Sequence, residues 1–98
     1  MLTVSQKEGA HGTLLVIIDS DILGKKFKEG RVQLDLTKDF YKGEQKTEVE
    51  VKEMMKNVHY LHLTGKVAVT LGIELDLVES KKILYVQKVP HAQVVVGS

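Results

Sequence analysis

The residues of this chain best suited to chemistry are its histidines, because an imidazole titrates near neutrality and can donate, accept or bind metal. His91 stands in Val89-Pro90-His91-Ala92-Gln93, where the only proline of the sequence fixes the backbone direction just past a strand and so aims His91 and Gln93. As a catalytic base His91 needs an orienting acid, and Asp19, Asp21, Asp39 and Glu44 qualify only because they also fall near element ends. A histidine hydrogen-bonded to backbone is the commoner arrangement, and His91 is the one catalytic candidate in the chain. His59 and His62 have the spacing of a shared metal site on a helix. On a strand, which this segment favours, they point to opposite faces, so no metal site is expected. Gly65-Lys66 and Gly24-Lys25 resemble the end of a phosphate-binding loop. The positions such a loop needs for its first glycine and its hydroxyl hold Tyr60 and Val67 in one case, Asp19 and Lys26 in the other. No nucleophile motif or cofactor fingerprint is present, and no cofactor is expected.

Binding chemistry is better represented. Lys25, Lys26, Lys28 and Arg31 surround Phe27, a basic loop able to hold phosphates, with Phe27 or Tyr41 for base stacking. The plainer arrangement is a solvated loop, diluted by Glu29, whose Phe27 tucks inward. Phe40-Tyr41-Lys42-Gly43-Glu44 puts two aromatics in a polar connection. Either one ring faces outward as a partner contact, with Lys42 and Glu44 beside it, or both rings close the core beneath the loop. Gln93-Val94-Val95-Val96 suits pairing with a sheet edge, the chain's own or a partner's.

These residues need elements to position them. A chain of 98 residues is one domain, 1–98, and lacks cysteine, which excludes disulfides and thiolate chemistry. The formal charge of +1 is small for a dedicated nucleic-acid binder. The longest apolar run, Leu14 to Ile18, is far short of a membrane span, and the start lacks a secretory pattern, so a cytoplasmic protein is expected.

Leu2 to Gln6 and Thr13 to Asp19 read as a hairpin around turn residues 7–12, the second strand apolar on both faces. Asp19-Ser20-Asp21 opens a single turn closed by Gly24. Arg31 to Leu36 alternates as a strand with one wet face, and residues 37–43 form a polar connection. Thr47-Glu48-Val49-Glu50 fits a capping box ahead of Val51, Met54, Met55 and Val58 at helical spacing. Strands are read at 58–63 and 83–89. Between them, residues 66–78 satisfy both periodicities, and their Val, Ile and Thr content leans towards strand.

Asp21-Ile22-Leu23-Gly24-Lys25-Lys26-Phe27, Leu34-Asp35-Leu36, Phe40-Tyr41-Lys42-Gly43-Glu44, Asn57, Gly65 and Val89-Pro90-His91-Ala92-Gln93 occur in an order and spacing that resembles domain-of-unknown-function family 424, a family of small archaeal proteins. The resemblance covers about residues 2–95. It implies a helix after Gly65, although this copy is richer in β-branched residues there than the family pattern, and an archaeal, cytoplasmic source. It supplies no activity, but suggests a role near translation or RNA. The expected fold is α+β: a mixed or antiparallel sheet of about five strands with two helices, at about 47–57 and 66–75. Three functions follow. The first is an RNA- or ribonucleoprotein-associated module using Lys25 to Arg31. The second is a protein-interaction or self-associating subunit using Phe40, Tyr41, Lys42, Glu44, His91 and Gln93 with the C-terminal valines. The third, placed last, is an enzyme built on His91.

Overall fold

In the computed structural model, which describes residues 1–96, β1 (Leu2–Gly9) and β2 (Gly12–Asp19) pair antiparallel along their whole length. The turn shrinks to Ala10-His11, because backbone pairing continues through the polar residues Lys7 and Glu8, and Gly12 supplies the φ of +131° that closes it. Leu15 and Ile17 point to one side of β2, Val16 and Ile18 to the other, and all four are buried. Such a strand must be central.

The expected basic loop is instead a strand. β3 (Lys26–Glu29) pairs with β4 (Val32–Asp35) as a separate two-stranded sheet, Phe27 opposite Leu34. Its outward residues are charged, which hid the alternation. A 3₁₀ turn at Asp39–Tyr41 leads to β5 (Glu44–Lys46), a short edge strand on β1 that the polar composition did not reveal. The capping box forms as expected, with Glu50 N–H donating to Thr47 Oγ1 at 3.2 Å and Thr47 N–H to Glu50 Oε1 at 3.0 Å. It opens α1 (Glu48–Met55), which buries Val51 and Met55.

β6 (Tyr60–Thr64) lies parallel to β2, and α2 (Lys66–Glu74) follows Gly65 directly. The β-branched residues of α2 are accommodated because Ala68, Val69 and Leu71 are buried against the sheet, and tertiary burial outweighs helix propensity. The expected strand at 83–89 divides into β7 (Leu84–Val86) and β8 (Val89–Val95). Gln87 and Lys88 make the turn between them with φ of 48° and 68°, a left-handed pair without glycine. Pro90 therefore lies inside a strand rather than beyond one. It is tolerated because β6 ends at Thr64, opposite His91, so the missing N–H interrupts no ladder, while Pro90 O accepts from Gly65 N–H at 2.9 Å.

The main sheet thus has six strands in the order β5-β1-β2-β6-β8-β7, and with the β3–β4 hairpin the count exceeds the expected five. One face carries both helices over Leu2, Val4, Leu15, Ile17, Leu61 and Leu63. The other carries the β3–β4 hairpin and the 3₁₀ turn, with Leu34, Leu36 and Tyr41 of that layer packed with Val16, Ile18 and Val86 of the sheet. Val16, Leu34 and Val86 thus share an interior that Met54, on the helix side, does not join. None of the helices among the described residues is long and apolar enough to cross a membrane.

Candidate functional site

On the hairpin-bearing face, strand register lays side chains in rows. Lys7, Leu14, Tyr60 and Val95 form one row; Ser5, Val16, His62 and Gln93 the next; Thr3, Ile18, Thr64 and His91 the third. The third row is covered by the hairpin layer. The first opens into a groove of about 690 Å³, walled by Lys7, Leu14, Tyr60, His62 and Gln93 beneath the β1–β2 turn.

Four rings meet between the open and covered parts. His62 lies edge-on to His91 at 4.5 Å, to Phe40 at 4.9 Å and to Tyr41 at 5.9 Å between centroids, and Phe40 meets Tyr41 at 5.1 Å. Burial, and secondarily repulsion from His91, push the His62 pKa down to about 4. Burial lowers that of His91 as well, so both imidazoles are neutral at physiological pH. His91 Nδ1 shares a hydrogen bond of 2.8 Å with Thr64 Oγ1. His62 Nε2 is different: among the described residues it is the buried side-chain polar atom with no partner. Lys7 Nζ sits 5.1 Å above the Phe40 ring and 3.4 Å from Ser5 Oγ.

The proton-transfer pair posed for His91 is not assembled. Asp19 caps a helix, Asp39 pairs with Lys42 at 2.9 Å, Glu44 pairs with Lys46 at 3.5 Å, and Asp21 is exposed beside the first turn. His91 bonds to a side chain, not to backbone. His59 and His62 do point apart: His59 Nδ1 accepts from Thr13 N–H at 3.0 Å at the strand end. In the Phe40–Glu44 connection both rings close the second core, Tyr41 with 8% of its surface exposed. Gly43 passes so close to β1 that a Cβ there would lie 2.1 Å from Val4 O. Of the proposed contact residues, Lys42, Glu44 and Gln93 are the exposed ones. Gln93 to Val95 pair with β6 of the same chain.

A second locus lies at the opposite end of the parallel strands. Asp19, expected to cap its own turn, reaches across to α2, its Oδ2 accepting from Val67 N–H at 3.0 Å and its Oδ1 from Ala68 N–H at 2.9 Å. The first amides of that helix are thus satisfied from within, not left for an external anion. Gly65, with φ of +108°, is required there, since a Cβ would fall 2.3 Å from the Asp19 carboxyl carbon. Around it Lys25, Lys66 and Lys88 line one depression of about 300 Å³ together with Phe27 and Asp21. The hairpin is fastened to the β7–β8 turn by Gln87 N–H donating to Glu29 Oε1 at 2.8 Å and Gln87 Nε2 donating to Lys28 O at 2.7 Å. Lys26, Lys28 and Arg31 continue outward from it, exposed, while Phe27 tucks against the second core.

Sequence reasoning found Lys25 to Arg31 and held Lys81, Lys82 and Lys88 relevant only if folding brought them alongside; of these Lys88 lines the depression with Lys25. It did not single out Lys66 as part of the cluster, which the fold makes it join. It also missed Lys7, Tyr60 and Thr64. The shared parity of His62 and Thr64 was a usable signal; their register against His91 was not.

The architecture defines a small α+β domain with a mixed sheet clothed by helices on one face and by a hairpin on the other. The family described as "Protein of unknown function (DUF424)" matches residues 7–96, and the chain belongs to that family. No curated protein matches it. Among solved structures it is similar to an uncharacterized conserved protein from Methanopyrus kandleri, with a TM-score of 0.78, 18% identity, and coverage of 97% of this chain and 90% of that one. That likeness establishes the fold.

Proposed function

We propose that the protein is a non-catalytic binding module that engages the phosphate backbone of RNA through its basic edge. One observation carries the reading. Lys25, Lys26, Lys28, Arg31, Lys66 and Lys88 come from three separated segments to one end of the sheet, and none forms a salt bridge among the described residues. The five ion pairs of the described chain all use other lysines. Unpaired cations on adjoining segments can neutralise phosphates and release the counterions condensed on a polyanion, which gives affinity without base contacts. The opposing charges nearby are Asp19, engaged by α2, Glu29, engaged by Gln87, Asp35, which accepts from Thr37 and lies across the hairpin from Lys26, and the exposed Asp21, so the cations outnumber them six to four. Because Phe27 and Tyr41 serve the core, phosphate contacts supply the affinity. A setting near translation, in an archaeal cytoplasm, is part of this reading on the strength of the family resemblance.

The test is fluorescence anisotropy with single-stranded RNA across a salt series. Three or four phosphate contacts predict a slope of log K against log salt of roughly −2 to −3. Lys28→Glu with Arg31→Glu should abolish binding. A slope near zero, or binding unaffected by the double variant, sinks the proposal. Retention of cytosolic partners after RNase treatment would favour the protein-interaction reading through Lys42, Glu44 and Gln93.

A further inference from the structure

The groove at the β1–β2 end is chemically unlike the basic edge. Its floor is the open part of the sheet face, where Leu14 and Tyr60 lie side by side in one cross-strand row. Its polar groups are few and of two kinds. His62 and Gln93, neighbours across β6 and β8, line the groove with neutral polar side chains; the imidazole is held uncharged by burial, and its Nε2 is enclosed and not open to the groove. Lys7, on the next strand out, offers one cation, and no salt bridge satisfies it among the described residues. The one carboxylate on the rim, Glu8, is occupied by Thr13 Oγ1 at 2.9 Å and by Gln6 Nε2 at 3.0 Å.

Each feature narrows the occupant. A volume of about 690 Å³ lies within the range of small-ligand sites, roughly 300–1,000 Å³. A floor that carries the Tyr60 ring suits a planar ring that can stack on it. Neutral donors and acceptors at its border would be left unsatisfied by a purely aliphatic ligand, which costs affinity. One cation at the end of the row matches one anionic group and is too little for a polyanion. We propose that this groove binds a single nucleotide, its base lying against Tyr60 with Gln93 and His62 at the base edge, and its phosphate at Lys7. The same chemistry is offered by a free mononucleotide and by one unpaired nucleotide within single-stranded RNA. The proposal does not rest on the basic edge, which lies at the other end of β2 and β6.

The experiment titrates AMP, UMP, adenosine and short single-stranded RNA into the protein, following amide and side-chain NMR shifts. AMP or UMP, or the RNA alone if the source is a strand, should shift Tyr60, His62 and Gln93. Tyr60→Leu should weaken binding by roughly five- to a hundred-fold, the range expected for losing one base stack. Gln93→Ala, at an exposed position that does not threaten folding, should also weaken it. Lys7→Gln should reduce AMP affinity to that of adenosine and leave adenosine unchanged. Lys28→Ala and Arg31→Ala should leave mononucleotide binding intact. RNA binding that is lost in the basic-edge variants, with both RNA and mononucleotide binding indifferent to Tyr60→Leu, Gln93→Ala and Lys7→Gln, overturns the groove proposal alone. Nucleotide shifts confined to residues outside the groove, or no shift with any of the four probes, also overturn it.

Discussion

The two faces of the central sheet share the same strands but are finished differently. Beneath the helices the layer is continuous: Leu2, Leu15, Ile17, Leu61 and Leu63 are all at or below 1% exposure, and Val51, Met55, Ala68 and Leu71 fill the space above them. Beneath the hairpin the layer is interrupted. Val16 and Ile18 are as deeply buried, but the rows they belong to also contain His62, Thr64 and His91, and the cover stops before Leu14 and Tyr60. A helix layer made of apolar stripes removes water wherever it reaches. A two-stranded hairpin is too narrow to do so, and what it leaves open is an apolar floor of Leu14 and Tyr60 bordered by the polar side chains of Lys7, His62 and Gln93. The first face supplies stability and the second retains groups that can still bind something.

The sharpest break in that comparison comes from matched truncations. Leu63→Ala on the helix face should cost about 2–5 kcal/mol, and Leu36→Ala on the hairpin face should fall at the lower end of that range, because its neighbours there can close up. Urea midpoints measure both, and equal costs would mean that the faces are energetically alike. Next in size is Gly65→Ala, expected to cost about 1–3 kcal/mol from its left-handed backbone and the collision with Asp19. Combined with Asp19→Ala, the loss should be less than the sum, since removing the carboxylate takes away the two closest contacts and leaves the one to the Cβ of residue 19 at 2.7 Å.

Acid should act mainly through the hairpin face. His62 is pushed down to about 4 in the folded protein, so below the unfolded value of about 6.5 the unfolded chain binds more protons. Stability is then lost progressively as pH falls from about 6.5 to about 4, with His91 acting in the same direction. His62→Phe should flatten this part of the pH profile. At neutral pH it should change stability by less than about 1 kcal/mol, since it removes a buried atom without a partner. Smallest of all, Lys28→Ala with Arg31→Ala should leave the melting transition within about 0.5 kcal/mol, as exposed sites without partners do, while weakening RNA binding.

What could be read from the residues follows the same division. The capping box at Thr47 and Glu50 and the doubly apolar run of β2 are local signals, and both formed as written. The α2 segment carried two periodicities, and only the family resemblance favoured helix. β3 was concealed because Lys26 and Lys28 face water while Phe27 alone reports the buried side. The break between β7 and β8 was concealed because Gln87 and Lys88 turn the chain without glycine or proline. The meeting of His62 with His91 depends on which strand neighbours β6, a fact of topology that no window of sequence contains.

The position of β8 inside the sheet, between β6 and β7, has a consequence for how the molecule assembles. β7 is synthesised first yet has no neighbour in the main sheet except β8, and the parallel β2–β6 pair closes only after α1 has been traversed. Most of the pairing joins distant residues, which slows folding and delays completion until residue 95 has left the ribosome. A nascent chain halted after β7 would display the unpaired flank of β6, so aggregation during synthesis should be governed by how soon that last strand arrives.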